Sequence, residues 1–74
     1  MKTFKKAIEV INKECIGELF DLKFHYKTYK FKTIIKYCML VGYDKNTASF
    51  LTHDTTSCYD LYDKDIVLYA KPSY

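Results

Sequence analysis

Two periodicities divide this chain of 74 residues. Across residues 3–16, TFKKAIEVINKECI, apolar residues recur as Phe4, Ile8, Ile11 and Cys15, one stripe at a period of 3.6. Ala7 and Val10 widen the stripe, and Lys5, Glu9 and Lys13 oppose it. The pattern predicts an amphipathic helix over 3–16, with Thr3 as N-cap and Gly17 in the left-handed cap position. After Gly17 the period becomes two. In ELFDLKFHY, Phe20, Leu22, Phe24 and Tyr26 point one way, and Asp21, Lys23 and His25 the other, as in a half-buried strand.

The alternation slips near Lys27–Tyr29, because Tyr29, Phe31, Thr33 and Ile35 form an odd-numbered set after an even-numbered one. That slip requires a bulge or turn. Residues 34–43, IIKYCMLVGY, are apolar on both faces except at Lys36, which predicts a central strand covered on both sides, with the helix as one candidate cover. DKNT is a turn, ASFLTH a strand, DTTS a second turn, CYDLY a short strand, DKD a tight turn and IVLYA a last strand. Pro72 is expected to end pairing and leave 71–74 as a tail. The expected architecture is a single α+β domain over 1–74: an N-terminal amphipathic helix, a β region over 18–70 with about five short antiparallel strands, and the tail.

The closing strands, VGYDKNTASFL, HDTTSCYDLY and DKDIVLY, follow one another through polar turns and a short Asp-rich turn. Over roughly residues 35–69 this resembles SH3-like small barrels such as Tudor and KOW domains. The resemblance implies a small barrel or curled sheet. A Tudor-type aromatic cage has no counterpart that can be placed residue by residue, and a leading helix is not part of that pattern.

Composition sharpens the picture of function. The chain is 49% hydrophobic and 18% aromatic, with 8 Tyr and 5 Phe, which is the content of a folded domain. All 12 basic residues are Lys. The absence of Arg weighs against a sequence-specific DNA reader, because Arg supplies the planar fork that reads guanine. Charge is segregated: residues 22–43 carry five Lys and no acid, whereas residues 44–65 carry five Asp against two Lys. A basic and an acidic side suit a protein partner better than a polyanion. Cys15, Cys38 and Cys58 are an odd set without a CxxC pair, which argues against a disulfide framework or zinc site. With no signal peptide and no long apolar run, the expectation is a reduced, soluble protein of the cytoplasm, here that of a bacterial host cell, with no membrane association.

Candidate chemistry is sparse. His53 and Cys58 flank a turn in HDTTSCYD and could face each other as a catalytic pair, but the chain is too small to build the usual substrate cleft around them. No enzymatic activity and no cofactor or metal are expected. Asp60, Asp63 and Asp65 form an acidic cluster that suits a solvated turn, a basic protein surface, or mimicry of nucleic-acid phosphates. Lys23, His25, Lys27, Lys30 and Lys32 form a basic cluster that suits a solvated edge, a protein-docking surface or a nucleic-acid surface. A short, Lys-rich, Tyr-rich chain without an active site resembles the inhibitors that phages and mobile elements direct against bacterial defence, anti-CRISPR proteins among them. That style implies a small binding protein, monomeric or homodimeric, that blocks a larger protein such as a host nuclease. The alternative is a nucleic-acid-binding SH3-like barrel.

Overall fold

In the computed structural model, which describes residues 3–28 and 32–74, the predicted N-terminal helix is replaced by three short pieces. They are β1 (Lys5–Lys6), α1 (Ala7–Val10) and a 3-10 turn (Lys13–Cys15). The helix over 3–16 is thus corrected to a single turn, and the α+β class to one antiparallel sheet of six strands. Thr3 does not cap it; Lys6 occupies the N-cap position without a side-chain bond. Three β-branched residues, Ile8, Val10 and Ile11, lie within four positions and lower helix propensity. Ile11 turns extended (φ −101°, ψ 136°), and the Asn12 side chain accepts from the Glu14 N–H, offering the backbone a local alternative to helix. The stripe divides accordingly: Ala7 and Ile11 are buried, Ile8 is exposed, and Phe4 lies on the outside of the sheet. Gly17 does adopt a positive φ of 97°, after the 3-10 turn, and its N–H donates to the Leu40 carbonyl at 2.8 Å.

The remaining strands are β2 (Leu19–Tyr26), β3 (Lys32–Tyr43), β4 (Thr47–Thr52), β5 (Thr55–Asp60) and β6 (Ile66–Pro72). Their order in the sheet is β1-β6-β2-β3-β4-β5. Successive hairpins place β2 to β5 side by side, and β6 returns to pair with β2 along its whole length, from Phe20↔Pro72 to Tyr26↔Ile66. Pro72 therefore belongs to a strand, and residues 71–74 are not a free tail: the Ser73 N–H donates to the Leu19 carbonyl at 3.1 Å. A Pro at the end of a strand forfeits little pairing.

β3 bends twice. Between Phe20↔Cys38 and Leu22↔Ile35, β2 contributes only Asp21 while β3 contributes Lys36 and Tyr37. Between Leu40↔Phe50 and Gly42↔Ser49, β3 contributes the extra Val41. Each bulge bends its strand and increases its twist. β3 can then pair with β2 over its first part and with β4 over its second, and the sheet curls round a core. The curl is compatible with a small barrel, but no described strand joins β5 to β1, and β5 stays more than 8 Å from β6, Cα to Cα.

The concave side buries Phe20, Leu22, Phe24, Leu40, Phe50 and Leu68, with Cys38, Ala48 and Ala70 fully covered among them. Phe20 meets Phe50 edge to face at 6.3 Å between centroids, and Phe24 meets Tyr59 at 5.1 Å. These aromatic pairs add to the area that each ring removes from water. β3 is not covered on both sides, contrary to its apolar sequence. Cys38 and Leu40 are buried, whereas Ile34 (53% exposed), Tyr37 (61%), Met39 and Val41 lie open on the convex face. α1 packs on β6 instead.

The turns hold together by local chemistry. Asp44 and Thr47 exchange backbone bonds around DKNT, and the Asp44 carboxylate accepts from the Lys45 N–H. The β4–β5 turn is only His53–Asp54, two residues rather than DTTS, and His53 takes φ 56°. A left-handed first residue is what a tight II′ hairpin requires.

Candidate functional site

The convex face of β6, β2 and β3 gathers most of the basic cluster. Cross-strand rows there run Tyr69–Lys23–Ile34 and Val67–His25–Lys32. Alternation along β2 sends Lys23 and His25 outward, and β3 matches it with Lys32 and Ile34. Lys36 and Tyr37 follow at the first bulge, both exposed. Lys30 lies outside the described residues. Lys27 is exposed just past the end of β2.

Lys23 is only half exposed. Its ammonium stands 4.8 Å from the Phe4 ring centroid and 5.3 Å from that of Tyr69, and Lys71 approaches Phe4 from 5.1 Å. The ammonium groups cover these rings through cation–π attraction, worth about 0.5–1 kcal/mol at such a site. His25 lies beside Tyr69, centroid to centroid 6.2 Å. Phe4 and Tyr69 were no part of the basic cluster read from the sequence. Only strand pairing brings them to Lys23, and no local spacing signals it.

Under this face lies Asp21, 6% exposed. Its carboxylate accepts from the Tyr37 N–H at 3.2 Å and from the Ser73 hydroxyl at 2.8 Å. It thereby fixes the bulge that presents Tyr37, whose φ of 60° is uncommon for a residue with a bulky side chain. Alternation alone places Asp21 in solvent, so its anchoring role was missed.

The acidic cluster lies in and beside the β5–β6 turn. The Lys27 N–H donates to the Asp65 carbonyl at 2.8 Å, so the acidic turn abuts the end of the basic strand. Asp60 accepts from the Tyr62 N–H, and Asp63 from the N–H groups of Asp65 and Ile66. These carboxylates shape the β5–β6 turn as Asx turns do. A cavity of about 240 Å3, lined by Phe24, Tyr26, Thr33, Ile35, Tyr59 and Ile66, opens at this end of the sheet. A second, of about 150 Å3, lies between β5 and β6 with Asp60 and Asp63 among its lining residues.

His53 and Cys58 do not face each other. Cys58 pairs with Ser49, three residues along β5 from Thr55, the first residue after the His53–Asp54 turn. At about 3.3 Å per residue the thiol lies roughly 10 Å from that turn. All three cysteines are free, Cys38 buried and Cys58 exposed. Among the described residues, no three His, Cys, Asp or Glu side chains converge where they could hold a metal ion, and no helix is long and apolar enough to cross a membrane. Compared with known proteins, the chain matches no family model, no curated protein and no solved structure.

Proposed function

We propose that this chain is a small non-enzymatic binding protein that docks on a larger protein through the convex face of β3. The observation that carries the reading is the open apolar row of Ile34, Tyr37, Met39 and Val41, bordered by Lys32 and Lys36. An apolar centre with a charged rim is the anatomy of a protein interface. Tyr is a favoured anchor in such interfaces. The lysines select a partner whose complementary patch is apolar with acidic edges. A blocking role against a bacterial defence protein, such as a nuclease, fits this design: one rigid face and no chemistry of its own. The return of β6 to β2 supports an SH3-like small barrel as the scaffold.

A nucleic-acid platform is the weaker reading of the same face. Stacking on bases needs free rings, and Phe4 and Tyr69 lie under lysine ammonium groups.

The test is affinity for the partner isolated by co-purification from bacterial lysates. Tyr37→Gly suits the positive φ, so it removes the ring while easing the backbone. It is expected to weaken binding by about 2 kcal/mol, roughly thirtyfold. Ile34→Asp and Lys36→Glu should weaken it as well, and Asp65→Lys should leave it unchanged. Equal binding by all four variants overturns the assignment of the face. Tight binding of RNA or DNA at low salt, lost steeply as salt rises, overturns the protein-docking reading.

A further inference from the structure

The two edges of the sheet are managed differently. β1 is two residues long and both are Lys, the pattern that guards an edge against unwanted pairing. β5 is six residues, TTSCYD, without Lys, Pro or a bulge, and among the described residues nothing pairs with its far side. The hairpin fixes which of its backbone groups are free. Thr52↔Thr55 closes the two-residue turn as a hydrogen-bonded pair, and such pairs alternate with non-bonded ones. Thr55, Ser57 and Tyr59 therefore aim their N–H and C=O groups at β4. Thr56 and Cys58 aim theirs at the open edge, as Asp60 does its N–H; the Asp60 carbonyl accepts from the Asp63 N–H at 3.4 Å within the β5–β6 turn.

We propose that a second copy of this chain pairs with this edge, β5 against β5, antiparallel about Cys58. In that register Thr56 meets Asp60 of the other copy at each end and Cys58 meets its twin at the centre, so every free outward backbone group except the Thr56 N–H of each copy is used, in about four hydrogen bonds. The register is self-complementary, as a two-fold interface must be. The Thr56 hydroxyl faces the Asp60 carboxylate across the strands, and the two Asp60 side chains stand about 13 Å apart. Sliding by two residues leaves one outward residue unpaired on each copy. The six-stranded sheet then continues across the axis, and the convex faces of both β3 strands stay open. This pairing does not depend on the docking face proposed above.

Sedimentation velocity across the micromolar range tests it, together with two substitutions at the centre of the edge. Cys58→Pro removes an N–H that β4 does not use, and Cys58→Lys adds an edge guard. The expected result is a wild-type dimer, and monomers for both variants with unchanged far-UV circular dichroism. In a Cys15→Ser background, a short bis-maleimide should join the dimer through Cys58, because opposed residues in a bonded pair have Cα atoms about 5.5 Å apart. A wild-type chain that stays monomeric at the highest concentration overturns the proposal. So does a dimer that survives Cys58→Lys, or one that the reagent fails to join; dissolution by Ile34→Asp would then locate the contact on β3.

Discussion

Asp21 occupies a position that alternation assigns to the wet face of β2, beside Lys23 and His25, yet it is 6% exposed. The bulge in β3 and the return of Ser73 enclose it, and its two hydrogen bonds connect three distant segments. Asp21→Ala leaves the Tyr37 N–H and the Ser73 hydroxyl without their acceptor and should lower the unfolding free energy by about 2–3 kcal/mol. Asp21→Asn keeps an acceptor oxygen and should lose about 1 kcal/mol. Urea unfolding of the two variants decides: equal losses would show that the bonds to Asp21 contribute little.

Cys38 is buried, and the Thr52 hydroxyl donates to its sulfur at 3.2 Å. Burial pushes the thiol pKa above its ordinary 9.0; the Thr52 bond opposes the shift and the Asp21 charge adds to it. The folded state holds the proton more tightly than the unfolded chain. The stabilisation is complete below pH 9.0 and is lost as pH rises from there through the folded-state value. Unfolding of wild type and Cys38→Ala should therefore converge in stability above pH 9.0, where the wild type alone loses this contribution. A constant difference across the range would refute it.

At the scale of elements the β3–β4 hairpin was legible, because its signal is local, whereas the β4–β5 turn lies at His53–Asp54 and was expected at DTTS. DKNT closes β3 and β4 where Asp and Asn allow it, and β2 ends at Tyr26, just before the slip expected near Lys27–Tyr29, of which Tyr29 and the following Phe31 lie outside the described residues. The helix was not legible, because the stripe from Phe4 to Cys15 fits a helix only while Ile11 and Asn12 stay helical. Ala7 and Ile11 do enter the core, but from a single turn and an extended residue. The C-terminal residues were misread for the converse reason. Pro72 looks like a terminator, but pairing on the β2 side continues through Lys71 and Pro72 to Ser73. Truncation after Ala70 removes those pairings and the Asp21 bond together. It should cost at least about 3 kcal/mol, read by thermal or urea denaturation. A truncated chain with wild-type stability would restore the idea of a free tail.

Curl and edges are properties of the whole molecule, and they depend on partners far apart in sequence. The alternation that sends Lys23, His25 and Lys32 outward could be read from the chain, and they do share a surface. The rings that meet Lys23 could not, because Phe4 and Tyr69 arrive from opposite ends of the sequence. The meeting of the basic and acidic stretches was also hidden from the sequence. Lys27 and Asp65 are 38 positions apart yet share a backbone hydrogen bond, so the basic and acidic stretches adjoin at this end of the sheet. Likewise the apolar run of β3 reads as doubly covered only if a helix exists to cover it.

The position of β6 between β1 and β2 also bears on how the molecule is made. β2 to β5 can form hairpin by hairpin as they leave the ribosome, but β2 keeps one edge bare until residues 66–72 emerge. Until then Phe20, Leu22 and Phe24 lack the strand that flanks them, and Asp21 lacks Ser73. Non-local pairing of this kind is slow and exposes sticky edges while it waits. The nascent chain is thus most vulnerable to aggregation in the interval between the emergence of β5 and that of β6, before β6 covers the bare edge of β2.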